Sequence, residues 1–296
     1  MKDYKIAAMD WGVEFRLKPY ISEKKAVEDF KSGVCDAVSF TGIQSRQFNS
    51  FSGSLDAMGA LPSYDHLKMV ISSISTKQAA PLMLIKPYEV VGVIPMGATY
   101  LFVNDRSLVT SYGEIDADLT SIRVAVMDSD PAQAEMVGSI GTISVCTSIA
   151  EMYKKFNMGL VDATYGPAVV YEAMELRKGL GSNGGVIRFP LAQLTLQIIV
   201  HHTRFLPQFG QKSREYALSQ FDKSVMLAKR YEDRISQKWW INIPDNEQTR
   251  YHEIYRKTRM VLKNKGIYDG KMLKIMRLVR CKKDPKLAEC IAEDKE

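Results

Sequence analysis

Two short polar segments follow predicted strands and carry side chains that could bind a ligand. Asp128 and Asp130 come after an apolar run that ends at residue 126, and Tyr165 and Gly166 follow a second such run. Carboxylates accept hydrogen bonds or bind cations, and a tyrosine ring stacks on a solute or hydrogen-bonds it. Other roles fit the same residues, because Pro131 marks Asp130 as a helix N-cap and Tyr165 also fits a packed hinge.

An equivalent position early in the chain holds Thr41 and Gly42, directly after a strand predicted over 34–40 and at the start of a helix predicted to run through Phe48. A small residue there lets the backbone approach a ligand closely. Ser148 precedes a predicted helix and has Glu151 three residues later, a pattern typical of an N-cap. Capping is therefore the first interpretation of Ser148, and ligand contact is the second.

Histidines and cysteines are few, and their spacing does not match a known catalytic or metal-binding motif. His201 and His202 are adjacent, so in a strand they point to opposite faces and cannot share a metal ion. The sequence has no Gly-x-Ser-x-Gly elbow, no phosphate-binding loop and no His-Glu-x-x-His motif. It predicts no catalytic residue, metal or cofactor, although a site assembled from distant positions stays open.

One pattern occurs twice, with the second copy 126 residues after the first. In each copy a serine precedes a short helix, a phenylalanine ends that helix, and a glycine leads into an apolar strand. The repetition predicts two α/β halves of similar build, and chance recurrence of a common turn is the alternative. The matching positions are Ser22, Phe30, Gly33, Asp36 and Ala37, and Ser148, Phe156, Gly159, Asp162 and Ala163.

Composition places the chain among globular proteins large enough for two lobes. Its 296 residues carry a net charge of +6, an excess too mild to indicate a nucleic-acid partner. No apolar run is long enough for a membrane span, and no signal peptide precedes the first helix. Cys281 and Cys290 flank a turn-like segment and are predicted to form a disulfide, which indicates an oxidising compartment.

The predicted elements alternate between helix and strand and then become helical. After a helix over 1–11 come a strand Val13 to Leu17 and a long strand Tyr88 to Asn104, which is a natural crossing between lobes. Because a parallel sheet normally begins with a strand, we expect a first strand and an export signal upstream of this chain. Helices are predicted over 212–238, 246–265 and 270–280.

The segment 118–176 resembles the second lobe of solute-binding proteins of tripartite ATP-independent periplasmic (TRAP) transporters. The similarity lies in the order Asp118-Leu119, a strand from Ile122 to Val126, Gly141-Thr142, Glu151-Met152-Tyr153, and Gly159 to Asp162 followed by Pro167. The first lobe resembles the family in "FKSGVCDAVSF" (30–40) and "MGALP" (58–62).

The resemblance implies an α/β fold of the two-lobed, type II periplasmic-binding-protein kind (a Venus flytrap) with a helical C-terminal segment. Lobe 1 would comprise 1–93 and 200–296, and lobe 2 would comprise 94–199. The resemblance also implies a monomeric, non-enzymatic periplasmic receptor that closes on a small organic solute and delivers it to membrane transport subunits. A lyase or transferase in the cleft of the same fold is the alternative, and a sensor module is a third.

The chain departs from the family where an arginine normally binds a ligand carboxylate. That position is Ala125, and Arg123 lies two residues earlier on the same face of the strand. A supporting arginine is replaced by Thr99. Because acidic residues dominate the nearby loop, we expect a neutral or partly cationic solute, or a ring compound on Tyr165, and not a simple dicarboxylate. The predicted ligand-binding residues are Thr41, Gly42, Thr99, Arg123, Asp128, Asp130, Ser148, Tyr165 and Gly166.

Overall fold

A computed structural model describes residues 1–111, 120–292 and 296. These residues form one mixed sheet whose main path runs in the order β1-β8-β3-β6-β4-β5. The strands are β1 (Ala37–Thr41), β2 (Leu84–Ile85), β3 (Tyr88–Val103), β4 (Arg123–Met127), β5 (Ile143–Thr147), β6 (Ala163–Pro167), β7 (Gly185–Ile187), β8 (Ala192–His201) and β9 (Trp240–Ile241).

The α-helices cover both faces of the sheet, and after β8 the chain is mostly helical. They are α1 (Lys2–Met9), α2 (Glu23–Lys31), α3 (Gly42–Ser45), α4 (Ser50–Gly53), α5 (Tyr64–Ile74), α6 (Ala80–Met83), α7 (Ser107–Ser111), α8 (Pro131–Ser139), α9 (Ile149–Asn157), α10 (Val169–Ala173), α11 (Arg177–Leu180), α12 (Phe209–Ser219), α13 (Phe221–Glu232), α14 (Asp245–Asn264), α15 (Gly270–Lys283) and α16 (Ala288–Ile291). Short 3-10 turns cover Ser54–Asp56, Lys77–Ala79, His202–Arg204 and Gln237–Trp239.

Strand β3, close to the span predicted for a long strand, joins the two ends of the sheet. It pairs antiparallel with β8 from Tyr88 to Thr99 and with β6 from Thr99 to Val103. β8 pairs with β1 on its other side, whereas β4 pairs parallel with both β5 and β6. The C-terminal ends of β4 and β6 therefore lie at the same edge of the sheet, where loops and helix N-termini follow them.

Both copies of the repeated pattern adopt the predicted local structure. Ser22 caps α2 and Ser148 caps α9, each by accepting a hydrogen bond from a backbone N–H three residues later. Gly33 and Gly159 follow with φ of 77° and 69°, a conformation that glycine reaches without strain. The repeated helix–glycine unit is thus confirmed as a recurring piece of local structure.

Three predicted elements need correction. Residues 13–17 form no strand, because Val13 and Phe15 are already packed in an aromatic cluster with Tyr4 and Phe209. The helix predicted over 212–238 is two helices, α12 and α13, which meet at Gln220. The helix predicted from Gly42 to Phe48 ends early, at Ser45. The predicted Asp118-Leu119 loop lies outside the described residues.

The C-terminal helices pack against both ends of the sheet. Leu262 of α14 and Met272 of α15 belong to a core that contains Phe40 and Ile199, whereas Tyr255 of α14 belongs to a second core beneath β4 and β6. The predicted disulfide between Cys281 and Cys290 is present and links α15 to α16. Among the residues that the structure describes, no helix is both long and apolar enough to span a membrane.

Candidate functional site

Five buried polar side chains meet where α3, α8 and β6 approach one another. We call them the central cluster: Arg46, Asp56, Asp130, Tyr165 and Tyr268. Arg46 is the C-cap of α3, Asp56 ends the 3-10 turn Ser54–Asp56, and Tyr268 precedes α15. Asp130 is the N-cap of α8, and Tyr165 lies on β6. The cluster therefore combines residues from both halves that the repeat and the resemblance predict.

An ion pair between Arg46 and Asp130 lies at the centre of this cluster. Nη1 of Arg46 lies 2.9 Å from Oδ1 of Asp130, and the side chains are only 13% and 5% exposed. The guanidinium also lies over the ring of Tyr268, 5.0 Å from its centroid. A buried pair of this kind is costly to break, because each charge would be left without its partner. It therefore holds the start of α8 against the end of α3.

Asp56 is fully buried beside this pair. Its Oδ1 accepts a hydrogen bond from the hydroxyl of Thr195 at 2.6 Å, and its Oδ2 accepts one from the Thr195 backbone N–H at 3.1 Å. Burial raises the pKa of Asp56 to about 7, the Thr195 bonds and Arg46 oppose the rise, and Asp130 adds to it. Asp56 therefore binds a proton much more readily than an exposed aspartate does.

Tyr165 and Thr99 contribute hydroxyl groups to one face of the sheet. Leu101 pairs directly with Tyr165, and Thr99 lies two residues before Leu101 on the same strand. Within the described part of the chain, neither hydroxyl has a hydrogen-bond partner, and the buried Nε of Arg46 has none either. Burial raises the pKa of Tyr165 well above its usual range, and the charge of Asp130 raises it further. Unsatisfied polar atoms in such a place are what a bound ligand would satisfy.

Two predicted glycines fill packing roles next to the site. A Cβ on Gly42 would stand 2.4 Å from Oδ2 of Asp56, so only glycine lets α3 start against that carboxylate. A Cβ on Gly166 would stand 2.6 Å from the hydroxyl of Tyr153, on the opposite face of β6 from Tyr165. Gly42 therefore shapes the central cluster, and Gly166 supports the sheet behind it.

Three other predicted site residues lie at the periphery. Thr41 caps α3, and its hydroxyl donates to Glu23 Oε2 at 3.1 Å. Ser148 caps α9 and is exposed, and Asp128 is exposed in the turn between β4 and α8. The structure places none of these three among the buried groups of the central cluster.

Arg123 lies at the far end of β4 from the central cluster. It is the first residue of the strand, whereas Asp130 follows the last, a separation of at least about 13 Å along the strand. Its guanidinium binds both carboxylate oxygens of Asp162, at 3.0 and 3.1 Å, and remains 42% exposed. We therefore leave Arg123 out of the candidate site, because another arginine, Arg46, occupies it.

Sequence reasoning missed Arg46, Asp56 and Tyr268. One signal was available, since Asp56 is the only charged residue between Arg46 and Asp65 and follows a stretch of small and apolar residues. A lone charge in such a stretch indicates burial, which requires a partner or a shifted pKa. The identity of that partner was not readable, because Thr195 lies 139 residues away.

The chemistry of the central cluster is hydrogen bonding around a nearly balanced charge. The charge of Arg46 is opposed by that of Asp130, and burial raises the pKa of Asp56, which disfavours a second negative charge there. Within the described residues, the hydroxyl groups of Tyr165 and Thr99 and Nε of Arg46 have no hydrogen-bond partner. Such a set of groups can recognise a polar molecule by position and does not by itself supply an activated nucleophile.

This fold is that of the solute-binding proteins of TRAP transporters. The structure superposes on a TRAP periplasmic solute-binding protein from Desulfovibrio salexigens that was solved with bound orotic acid, with a TM-score of 0.71. The match covers 94% of this chain and 90% of that chain, at 14% sequence identity. A second TRAP solute-binding protein, from Ochrobactrum anthropi, has its C-terminus bound in the ligand-binding pocket. It matches with a TM-score of 0.75 and 11% identity, over 99% of this chain and 93% of that chain.

Sequence comparison identifies the family. The profile described as "Solute-binding protein AdeT 1/2" matches residues 3–295. "Probable solute-binding protein AdeT1" of Acinetobacter baumannii is 38% identical over 293 residues, which cover 99% of this chain and 95% of the relative. The chain belongs to the AdeT 1/2 family of solute-binding proteins.

Proposed function

We propose that this solute-binding protein is a periplasmic receptor that closes its two lobes on a small polar molecule at the central cluster. The observation that carries the proposal is the buried Arg46–Asp130 ion pair beside the Tyr165 hydroxyl, which has no hydrogen-bond partner in the described part of the chain. Lobe 1 (1–93 and 200–296) would supply Arg46, and lobe 2 (94–199) would supply Asp130 and Tyr165. Contacts that exist only when the lobes meet favour the closed state on ligand binding.

The solute that fits this site is neutral, partly cationic, or a polar ring compound, and not a simple dicarboxylate. A dicarboxylate would have to compete with Asp130 for the one buried arginine of the cluster, and it would add charge next to Asp56. A ring with both donors and acceptors would instead pair with Tyr165 and Thr99. A structural relative has bound orotic acid, a planar ring that also carries a carboxylate, so that relative supports a ring compound and gives no support for a neutral charge.

A periplasmic receptor of this kind would deliver its solute to membrane transport subunits. The TRAP relatives are periplasmic by description, and the Cys281–Cys290 disulfide is consistent with an oxidising compartment. We propose that the receptor acts as a monomer, without a cofactor, metal or nucleic-acid partner.

An enzyme in the same cleft is the competing function, and Asp56 is the observation in its favour. A carboxyl group with a pKa of about 7 resembles a general acid or base. Both oxygens of Asp56 are, however, engaged by Thr195, and its side chain is fully buried. This arrangement favours a structural carboxyl group and a receptor.

Native mass spectrometry of protein purified from its host tests the proposal, because a receptor retains bound solute during purification. A thermal-shift screen of neutral ring compounds, amines and small carboxylates then classifies that solute. We expect stabilisation by a neutral or cationic compound that is lost in Arg46→Met and retained in Arg123→Ala. Stabilisation by a dicarboxylate that needs Arg123 would contradict the assigned site, and conversion of the solute to a product would establish the enzyme.

A further inference from the structure

Two buried arginines on the C-terminal helices surround one carboxylate. Arg259 of α14 and Arg280 of α15 are almost completely buried, and the side chain of Glu296 lies between them. Oε1 of Glu296 accepts hydrogen bonds from Nε and Nη2 of Arg259 at 2.7 and 2.5 Å, and Oε2 accepts one from Nη2 of Arg280 at 2.7 Å. Each carboxylate oxygen therefore has its own guanidinium, an arrangement that binds carboxylates specifically.

Both arginines are also held in place by groups other than Glu296. Nη1 of Arg259 donates to the Met58 carbonyl at 2.8 Å, and Nη1 of Arg280 donates to the Ala60 carbonyl at 2.6 Å. Glu289 binds Arg280 through both of its oxygens, at 2.5 and 2.6 Å. If the Glu296 carboxylate were removed, the N–H donors of Arg259 and Arg280 would still point at the position that it occupied. A preformed site of this kind binds a ligand with little loss of side-chain entropy.

The short helix that precedes Glu296 has little apolar attachment to the protein. α16 contains no buried residue, and its Ile291 is 84% exposed. Within the described residues it is connected through the Cys281–Cys290 disulfide and through the Glu289 ion pair. Charge, more than hydrophobic packing, therefore keeps this part of the chain on the two arginines.

We propose that the Arg259–Arg280 pocket is a carboxylate-binding site separate from the central cluster, with Glu296 as its tethered and replaceable occupant. A free monocarboxylate accepts the same hydrogen bonds when Glu296 is absent. In the wild-type protein the tether gives Glu296 a high local concentration, so the pocket stays filled by the chain itself until a competing carboxylate is abundant.

Met58 connects this pocket to the central cluster. Its carbonyl accepts from Arg259, and its backbone also hydrogen-bonds Tyr268, over which Arg46 lies. The next residue, Gly59, donates its N–H to the Leu191 carbonyl at 2.7 Å. Occupancy of the pocket should therefore be measurable at residues 57–61, which lie between the two sites.

The test uses Glu296→Ala and acetate, the smallest free carboxylate that resembles the glutamate end group. Thermal unfolding is compared in sodium acetate and in sodium chloride of equal ionic strength. We expect the variant to unfold below wild type and acetate to raise its Tm by about 2–4 °C more than chloride does. Acetate should have no such specific effect on wild type or on Glu172→Ala, which removes an exposed partner of Arg234.

Hydrogen exchange supplies a second measurement, which reports on named residues and not on the whole protein. In Glu296→Ala, acetate should slow exchange of the Gly59 and Ala60 amides relative to chloride. Glu296→Gln keeps the pocket filled by an uncharged side chain, so acetate should affect it less. Equal behaviour of acetate and chloride in Glu296→Ala, in both Tm and exchange, would overturn the proposal, as would an equal acetate effect in the Glu172→Ala control. Neither readout depends on the solute of the central cluster, so these outcomes are separate from the proposed function.

Discussion

The two buried charge clusters of this protein differ in how completely their polar groups are paired. In the Arg259–Arg280 pocket, which together with Glu289 and Glu296 forms the C-terminal cluster, all three nitrogens of each arginine have acceptors. In the central cluster, Nε of Arg46 and the Tyr165 hydroxyl lack partners within the described residues. A paired cluster adds rigidity, whereas an incompletely paired one leaves hydrogen-bonding capacity for a ligand. The comparison therefore separates a cluster that the chain's own carboxylates already fill from a cluster that still has unused hydrogen-bonding groups.

The largest expected effect comes from breaking the fully paired cluster. Arg280→Met should destabilise the protein by about 3–5 kcal/mol, because Glu289 and Glu296 both lose a charged partner in a buried place. Urea unfolding measures the difference. Arg234→Met is the control, since its exposed pair with Glu172 should contribute at most about 1 kcal/mol. Equal losses in the two variants would show that the C-terminal cluster is not the rigid element inferred here.

Asp56 provides the next largest effect, seen as a pH dependence. Folding raises its pKa from 3.8 to about 7, so the folded protein keeps a proton that the unfolded chain has already lost between those values. Stability should therefore fall as pH rises from about 4 to about 7, by at most about 1.4 kcal/mol per pH unit from this group. Asp56→Asn should remove that contribution and should be relatively more stable at pH 7.5 than at pH 4.5. Identical pH profiles of variant and wild type would show that the folded pKa of Asp56 is not raised.

Tyr165 allows stability and binding to be separated. Tyr165→Phe removes a buried hydroxyl that has no partner among the residues the structure describes, so stability should stay the same or increase by up to about 1 kcal/mol. If the hydroxyl contacts the solute, the same variant should lose roughly tenfold in affinity, because one hydrogen bond is lost. Calorimetry with the solute found by mass spectrometry measures this loss. A variant that is destabilised yet binds normally would place the hydroxyl in a structural hydrogen bond and outside the site.

Local signals in the sequence predicted the local features of this molecule. Ser148 and Asp130 cap the helices that they were expected to begin, and Cys281 and Cys290, nine residues apart, form the expected disulfide. The order of strands and helices was sufficient to indicate the fold of the family. These features are readable because each depends on residues close in sequence.

The central cluster was only half predictable, because its interactions are long-range. Asp130 and Tyr165 were found from their positions after strands, whereas Arg46 was missed because its partner lies 84 residues away. Arg123 was proposed from its place on a strand, but Asp162, 39 residues later, binds it. The position of a residue in a strand predicts the face on which its side chain lies. It does not predict which charged residue, distant in sequence, will be its ion-pair partner.

The smallest expected effect is that of Arg123→Ala, and it is the sharpest test of where the site lies. The Arg123–Asp162 pair is partly exposed, so its loss should cost no more than about 1 kcal/mol. Because Arg123 is at the opposite end of β4 from Asp130, solute affinity should change by less than about twofold, whereas Arg46→Met should abolish measurable binding. Titration calorimetry of both variants with one solute makes the comparison directly. Loss of binding in Arg123→Ala, with Arg46→Met still able to bind, would move the site to the other end of the strand and would reverse the assignment of the two arginines.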